Sequence, residues 1–576
     1  MPVVDVDPDE LRRLAGAEDV SDETLIDDLF ALGLEFEGWT EDGALELEFA
    51  PDRLDRLSVE GIARSLRYQY GHDRGMHIPR TNRSNWTFVV DQRVPAQRPY
   101  VTGAIVRDVD LTEESLQSLI TLQEKLHETM GRGRHKGAIG IHDLGMLKGR
   151  GATESAERTS ITYTGIEPEA ERFVPLEADA EMTPGEVLTD HPTGREYAEV
   201  VAEYELMPAI YDDLGLFSFP PVINSRRTEV TTDSRNLLVE LTGTDQWTID
   251  RMLAIVCYAL DLRGAEIEDV EVAYPEYDIV RPDWEQTTKQ VEHARIERTI
   301  GIELDRETVL ELMACAGLDA QPIDENGLAY EVGIPPYRVD VLHPVDIVDD
   351  IGRAYGFNEL EPRYPDVATV GSRHANSRFE RAVRSLLTGV GFEDLLNFNL
   401  ISHTANFERM HVAPDDKVHG AGTPVTIEEP YSAEYEIVRT WALPSVMLVL
   451  ENNTHRAYPQ ALAEIGMAGV VDRDEPTKTA ERRTVAGVIA DHEASYEDGK
   501  ARLAAVCRRL GVPLETPACE HPSFITGRSA AIDFGMGAVG VIGEIDPAVL
   551  VEHGLEVPVV AFEFPLAAIR SAAADQ

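Results

Sequence analysis

The sequence has 576 residues, 43% hydrophobic and 27% charged, the balance of a globular chain able to bury several cores. It contains no run of about 18 apolar residues and its start is acidic rather than a basic n-region, from which a soluble, cytoplasmic protein is expected. Asp and Glu number 104 against 52 Lys and Arg, a net charge of −52; the acids are dispersed, which excludes a single disordered acidic tail.

Only seven of the cations are lysine. A dispersed field of one sign keeps a protein soluble but repels itself, and molar salt screens that repulsion within about 3 Å. This predicts a saline cytoplasm; a low-salt protein that binds cations or basic partners is the alternative. Cys257, Cys315, Cys507 and Cys519 form no C-x-x-C pair and are expected to be inert thiols.

In chain order, a first mixed α/β unit with its connector is expected over 1–98. Asp22 precedes a helical pattern of Leu25, Ile26 and Leu29, the alternating run 44–49 predicts a strand, and Val59, Ile62, Ala63 and Leu66 predict a helix ending before Gly71. Residues 72–100, rich in Arg, Asn, Pro and Gly, predict the connector. A second unit is expected over 99–275. It opens on the apolar run 100–106 and a helix capped by Thr112, with Glu113 and Glu114 at its positive end and Gly131 as terminator. A strand at 236–241 and a helix at 249–260 follow. A third unit, 276–365, is predicted to hold two helical stretches bracketing a short strand. The last, 366–576, carries a helix at 378–390, several strands, and a helix through Leu503, Val506 and Leu510 stopped by Gly511.

The sharpest local feature runs from Pro335 to Ile351. Pro344 suits a first helical turn, and Asp346, Asp349 and Asp350 then fall at i, i+3 and i+4, three carboxylates on one face. Asp340 precedes the helix. Two accounts of this face stand side by side: hard oxygen ligands for Mg²⁺, or acids favouring the positive end of a helix in an acid-rich chain.

The run Arg338-x-Asp340 … Asp346-Ile347-x-Asp349-Asp350-x-x-Arg353-x-Tyr355-Gly356 resembles the R-x-D … D-(I/L)-x-E-E-x-x-R-x-Y-G motif of phenylalanyl-tRNA synthetase β subunits. Asp replaces Glu at 349 and 350, which shortens each arm by one methylene. Glu48 to Arg64 is similar to that family's N-R-P-D-x-x-S-x-E-G-(I/L)-A-R stretch, with Ala50 and the shifted Asp52-Arg53 departing from it. The segments 131–144, 217–224 and 240–245 resemble the archaeal and eukaryotic branch, in family order.

The resemblance implies an α+β multidomain fold: an N-terminal mixed unit, an α+β editing-type domain, a winged-helix-like domain, and a class II synthetase-like antiparallel sheet domain without catalysis. It implies Asp340, Asp346, Asp349 and Asp350 as Mg²⁺ ligands. Hydrolytic editing of Tyr-tRNA(Phe) is expected in the second unit, with Ser218, Asn224, Glu240 and Thr242 as candidates. No Ser-His-Asp order is apparent there, so the expected chemistry is an oriented water. Leu462 to Gly466 and Gly540 to Pro547 resemble strands of the second and third class II motifs, yet neither window has the arginine that grips ATP phosphates. Synthesis is therefore expected on an α subunit, in an (αβ)2 tetramer that also binds tRNA(Phe). The alternatives are a free-standing tRNA-editing hydrolase and a non-enzymatic RNA-binding scaffold.

Overall fold

The computed structural model describes residues 3–49, 52–150, 159–323, 328–364 and 369–574. The chain divides into two compact units, Met1–Arg363 and Tyr364–Gln576. The boundary expected at 365/366, and the Ala50-Pro51 part of the N-terminal motif, lie outside the described residues.

The first unit begins with an antiparallel sheet in the order Val3–Val6, Leu45–Phe49, Leu34–Trp39. Leu45, Leu47 and Phe49 alternate into the core, as the sequence pattern requires. Ser21, rather than Asp22, caps the helix Asp22–Ala31, because its hydroxyl accepts from the Thr24 N–H. The helix Val59–Gln69 crosses close to the preceding turn at Gly61, where a Cβ would sit 1.7 Å from the Asp55 carbonyl oxygen.

The largest sheet has ten strands. Its path runs Ile223–Asn224, Gly215–Phe219, Met207–Asp212, Thr159–Ile166, Thr81–Val90, Glu266–Ala273, Tyr100–Arg107, Leu237–Gly243, Gly137–Asp143, with Asp278–Arg281 branching from Glu266–Ala273. Thr81–Val90 corrects the expected connector. It is an interior strand, parallel to both neighbours, and only Thr87, Phe88 and Val90 are buried, so its polar first half conceals it. The sheet therefore starts before residue 99 and ends past 275. The helix Gln246–Leu262 covers its central strands through Ile249, Met252, Leu253 and Val256. Capping at Thr112 is observed, with Ser115 completing a reciprocal box.

The region expected as two helices and a strand is larger. Three helices, His293–Ile300, Arg306–Cys315 and Pro344–Tyr355, pack on an antiparallel sheet ordered Thr287–Glu292, Ala329–Ile334, Asp319–Pro322. Val291, Ile296, Met313, Tyr330, Ile347 and Ile351 form its core.

The second unit is built on a six-stranded sheet: Glu393–Leu395, Gln460–Val471, Thr479–Ala490, Val559–Pro565, Ala538–Ile545, Phe524–Asp533. All pairs are antiparallel except the first. One face packs on the helix Leu443–Asn452, the other on Ala375–Gly389 and Tyr496–Leu510. Arg439 and Glu464 form a fully buried pair, at 2.6 and 2.9 Å, and Arg439 Nε also donates to the Met467 carbonyl. Among the described residues no helix is long and apolar enough to cross a membrane.

Neutralising one member of a buried pair strands the other charge, at a cost of about 3–5 kcal/mol. Glu464→Gln is therefore expected to destabilise the second unit by about 3 kcal/mol. The measurement is amide-exchange protection along the strand Gln460–Val471 in molar KCl, and unchanged protection would exclude the pair as its clamp.

Candidate functional site

Where the two ends of the ten-stranded sheet are bridged by side chains, a cavity of about 380 Å³ opens. Leu116, Leu119 and Ile120 from the helix Glu113–Glu128, with Ala138, Val222 and Val230, supply its apolar lining. Ser218, Asn224 and Glu240 join Gln123, Glu124, Arg134 and Thr228 in its polar lining. The Ser218 hydroxyl lies 2.9 Å from Glu240 Oε1 and 3.0 Å from Asn224 Oδ1. Glu240 is 1% exposed, and its Oε2 has no donor among the described residues.

Register explains why Glu240 fits. It pairs with Gly140, where a Cβ would stand 2.3 Å from Glu240 Oε1 and 3.0 Å from His142 Nε2. His142, two residues on and fully buried, has Nδ1 2.8 Å from Thr228 Oγ1 and Nε2 3.6 Å from Glu240 Oε1. Its ring stands edge-on to Phe217. The arrangement is a carboxylate between a hydroxyl and an imidazole, and no Ser-His contact forms a nucleophile.

Thr242 is placed differently from the other three candidates. It lies outside the cavity lining and is fully buried, with Oγ1 and carbonyl each accepting from Arg98 at 2.8 Å. Arg98 also donates to the carbonyls of Arg134 and His135. Thr242 is thus an anchor for the turn that carries Arg134. The guanidinium of Arg134 donates to Glu124 at 3.0 and 3.1 Å and to the Val222 carbonyl at 3.0 Å, and stacks on Tyr197 at 3.9 Å. Sequence reasoning missed His142, Thr228, Arg98 and Arg134 as parts of this site. Only strand register and the approach of the sheet ends bring them together.

The four aspartates singled out as Mg²⁺ ligands do not converge. Arg338 holds Asp340 through Nε at 2.8 Å and Nη2 at 2.7 Å, and reaches Asp350 at 2.8 Å. Asp346 accepts from the Leu342 and His343 N–H groups, capping the helix Pro344–Tyr355, and Asp349 pairs with Arg353 at 2.8 Å. Burial alone raises the Asp340 pKa, but the Arg338 contacts hold it below the usual carboxylate value. At least one oxygen of each aspartate is held by a cation or by backbone donors, and the four do not gather at ligand spacing, so as folded the set does not fit a Mg²⁺ centre. The only three acids with ligand-like spacing among the described residues are Glu35 and Glu37, both exposed, and the half-buried Glu48, on the N-terminal sheet.

Comparison with known proteins agrees with this architecture. The description "Phenylalanyl tRNA synthetase beta chain CLM domain" matches residues 360–566, and "tRNA synthetase B5 domain" matches 289–357. Phenylalanine–tRNA ligase beta subunits of Natronomonas pharaonis and Halobacterium salinarum are 63% and 62% identical, each over 99% of this chain and 100% of the relative. That of Thermococcus kodakarensis is 36% identical over 98% of this chain and 99% of its own. The crystal structure of an N-terminal fragment of the phenylalanyl-tRNA synthetase beta subunit from Pyrococcus horikoshii has a TM-score of 0.57. It is 32% identical and covers 62% of this chain and 99% of its own. Fold and sequence together define a subunit of an aminoacyl-tRNA synthetase, a ligase. The dispersed acidity fits the haloarchaeal relatives. The chain belongs to the phenylalanine–tRNA ligase beta subunit family.

One wall of the cavity is tied to an ionisable side chain through Ile139. His127 Nε2 accepts from the Ile139 N–H at 2.8 Å, which requires the neutral ring, with Nδ1 3.2 Å from Glu124 Oε1. Burial lowers the His127 pKa below its ordinary 6.5. A folded pKa below the unfolded one gives stability that is complete above pH 6.5 and lost as pH falls through the folded value. The protection factor of the Ile139 amide is expected to fall on acidification below 6.5 and to lose this dependence in His127→Gln. A flat profile in the unsubstituted chain would exclude the imidazole as the hinge of this wall.

Proposed function

We propose that this chain acts as the beta subunit of an (αβ)2 ligase that joins phenylalanine to tRNA(Phe) using ATP, and that the cavity of its first unit hydrolyses Tyr-tRNA(Phe). The observation that carries the editing reading is Glu240 Oε2, a buried acceptor with no donor among the described residues, on a cavity that also offers the apolar side chains Leu116, Leu119 and Ile120. A tyrosine phenol supplies the missing O–H, whereas a phenylalanine ring would leave the oxygen unpaired, a difference of about 1–3 kcal/mol. Such discrimination is needed because a pocket for an apolar ring rejects an added hydroxyl by only about 10²-fold. The volume falls within the roughly 300–1,000 Å³ usual for small-ligand sites. With no nucleophile in the cluster, hydrolysis falls to a water oriented by polar groups around the ester.

Two features support placing synthesis elsewhere. The strands Gln460–Val471 and Ala538–Ile545 carry no arginine in the windows that resemble class II motifs. Arg439, beside the first of them, is fully buried and bonded through all three nitrogens to Glu464 and the Met467 carbonyl, so it is not presented to a triphosphate. The free-standing hydrolase is disfavoured because it has no use for this second unit. The non-enzymatic scaffold is disfavoured because it has no use for an unpaired carboxylate oxygen in a ring-sized cavity.

In the αβ complex, Glu240→Ala is expected to slow Tyr-tRNA(Phe) deacylation by at least about tenfold and to spare Phe-tRNA(Phe) formation. Undiminished deacylation would remove Glu240 from the site. Separately, the purified chain in molar KCl is expected to show no phenylalanine-dependent ATP–pyrophosphate exchange until the alpha subunit is added. Exchange by the chain alone would refute a silent second unit.

A further inference from the structure

A second cavity in the first unit, about 340 Å³, is bordered by the guanidinium-bearing residues Arg53, Arg56, Arg64 and Arg353, against only two carboxylates, Asp350 and Glu359. Four arginines on one cavity run counter to a chain with 104 acids and 52 cations. The neighbouring carboxylates are already committed. Asp350 is bound by Arg338, and Asp55 is shared between Arg53 at 2.8 Å and Arg64 at 3.0 Å. Arg56, 4% exposed, finds only neutral acceptors, the Ser65 hydroxyl at 3.0 Å and the Leu32 carbonyl at 2.6 Å. Arg64, 5% exposed, has its Nη1 buried with no acceptor among the described residues. Its charge lies over the Tyr337 ring at 4.1 Å, but a π face does not accept the in-plane N–H bonds of the fork.

A buried cation without a counter-charge costs several kcal/mol. Burial and the neighbouring Arg53 charge push the Arg56 pKa down to about 9, the direction expected of a cation surplus. Planar guanidinium forks match tetrahedral oxyanions in bidentate geometry. Contacts of this kind inside a cavity are screened far less by salt than surface ones.

We propose that this cavity binds a small oxyanion of the phosphate class, either free phosphate or a phosphate monoester, on Arg56 and Arg64. Glu359 is exposed on its border and opposes the bound charge.

The test is equilibrium dialysis of the full chain against labelled inorganic phosphate in molar KCl, where chloride competes throughout, with a parallel arm in glycerol phosphate. One saturable site per chain is expected. Arg56→Met is expected to weaken it about tenfold or more, the worth of one charge-assisted contact. Because burial makes Arg56 sensitive to misfolding, Glu359→Gln on the surface provides the second reading and is expected to tighten binding severalfold. Tighter uptake of the monoester assigns the site to an ester, and equal or weaker uptake to the free ion. Absence of saturable uptake in both arms, or uptake indifferent to both substitutions, overturns the proposal.

Discussion

The first unit depends on the bridging of its sheet ends by buried polar side chains. A sheet edge presents unpaired backbone groups and must be paired, covered or otherwise managed. Here the path ends at Ile223–Asn224 and Gly137–Asp143, and the bridges are Ser218 to Glu240, His142 to Thr228, and Arg134 to the Val222 carbonyl. Continuous backbone pairing would leave no room between the ends. Side-chain bridging holds them apart, and the space left is the cavity. The same spacing makes Gly140 obligatory, since any Cβ there meets the Glu240 carboxylate. Arg98, beneath the turn that carries Arg134, fixes one side of this arrangement from the interior.

Arg98 belongs to a wider use of the cations. Arg12, Arg56, Arg64, Arg98, Arg338 and Arg439 are all buried, and no lysine is among the buried residues described. An ammonium is a compact, strongly hydrated charge, whereas a guanidinium is weakly hydrated and makes several directed bonds at once. Of the 45 arginines (52 cations less seven lysines) only these six are buried among the described residues, but every Lys or Arg side chain that enters the interior there is a guanidinium. Seven buried carboxylates stand against these six guanidiniums, so the interior charges nearly balance and the surplus behind the net charge of −52 lies outside the cores.

What was legible in the sequence follows the range of each interaction. The cap at Thr112, the stop at Gly511 and the helix after Pro344 are local and were readable. Thr81–Val90 was not, because its partners lie about 75 and 185 residues away and its first five residues look like a loop. In the site, motif wording pointed to Ser218, Asn224 and Glu240. Thr242 shares the strand face of Glu240 and so looked equivalent, yet Arg98, distant in sequence, claims it. The aspartates illustrate the same limit. Their i, i+3, i+4 spacing was correctly read, but Arg338, which takes two of them, sits outside the helix and turns a ligand pattern into an ion-pair pattern.

Two motifs noted separately in the sequence, around 48–64 and 338–356, turn out to meet. Arg64 lies over Tyr337, Arg353 donates to the Leu32 carbonyl at 3.1 Å, and the charges of Arg53 and Asp340 act on one another. Their wording is therefore better explained by a shared junction than by two independent chemistries. Such a junction suits molar salt, because ions screen exposed charges within a few ångströms but screen buried pairs far less. Surface ion pairs, worth at most about 1 kcal/mol even in dilute buffer, offer no such constancy. A chain that must tolerate a strongly acidic surface gains by locating the contacts that order its N-terminal elements where solvent salt has the least influence.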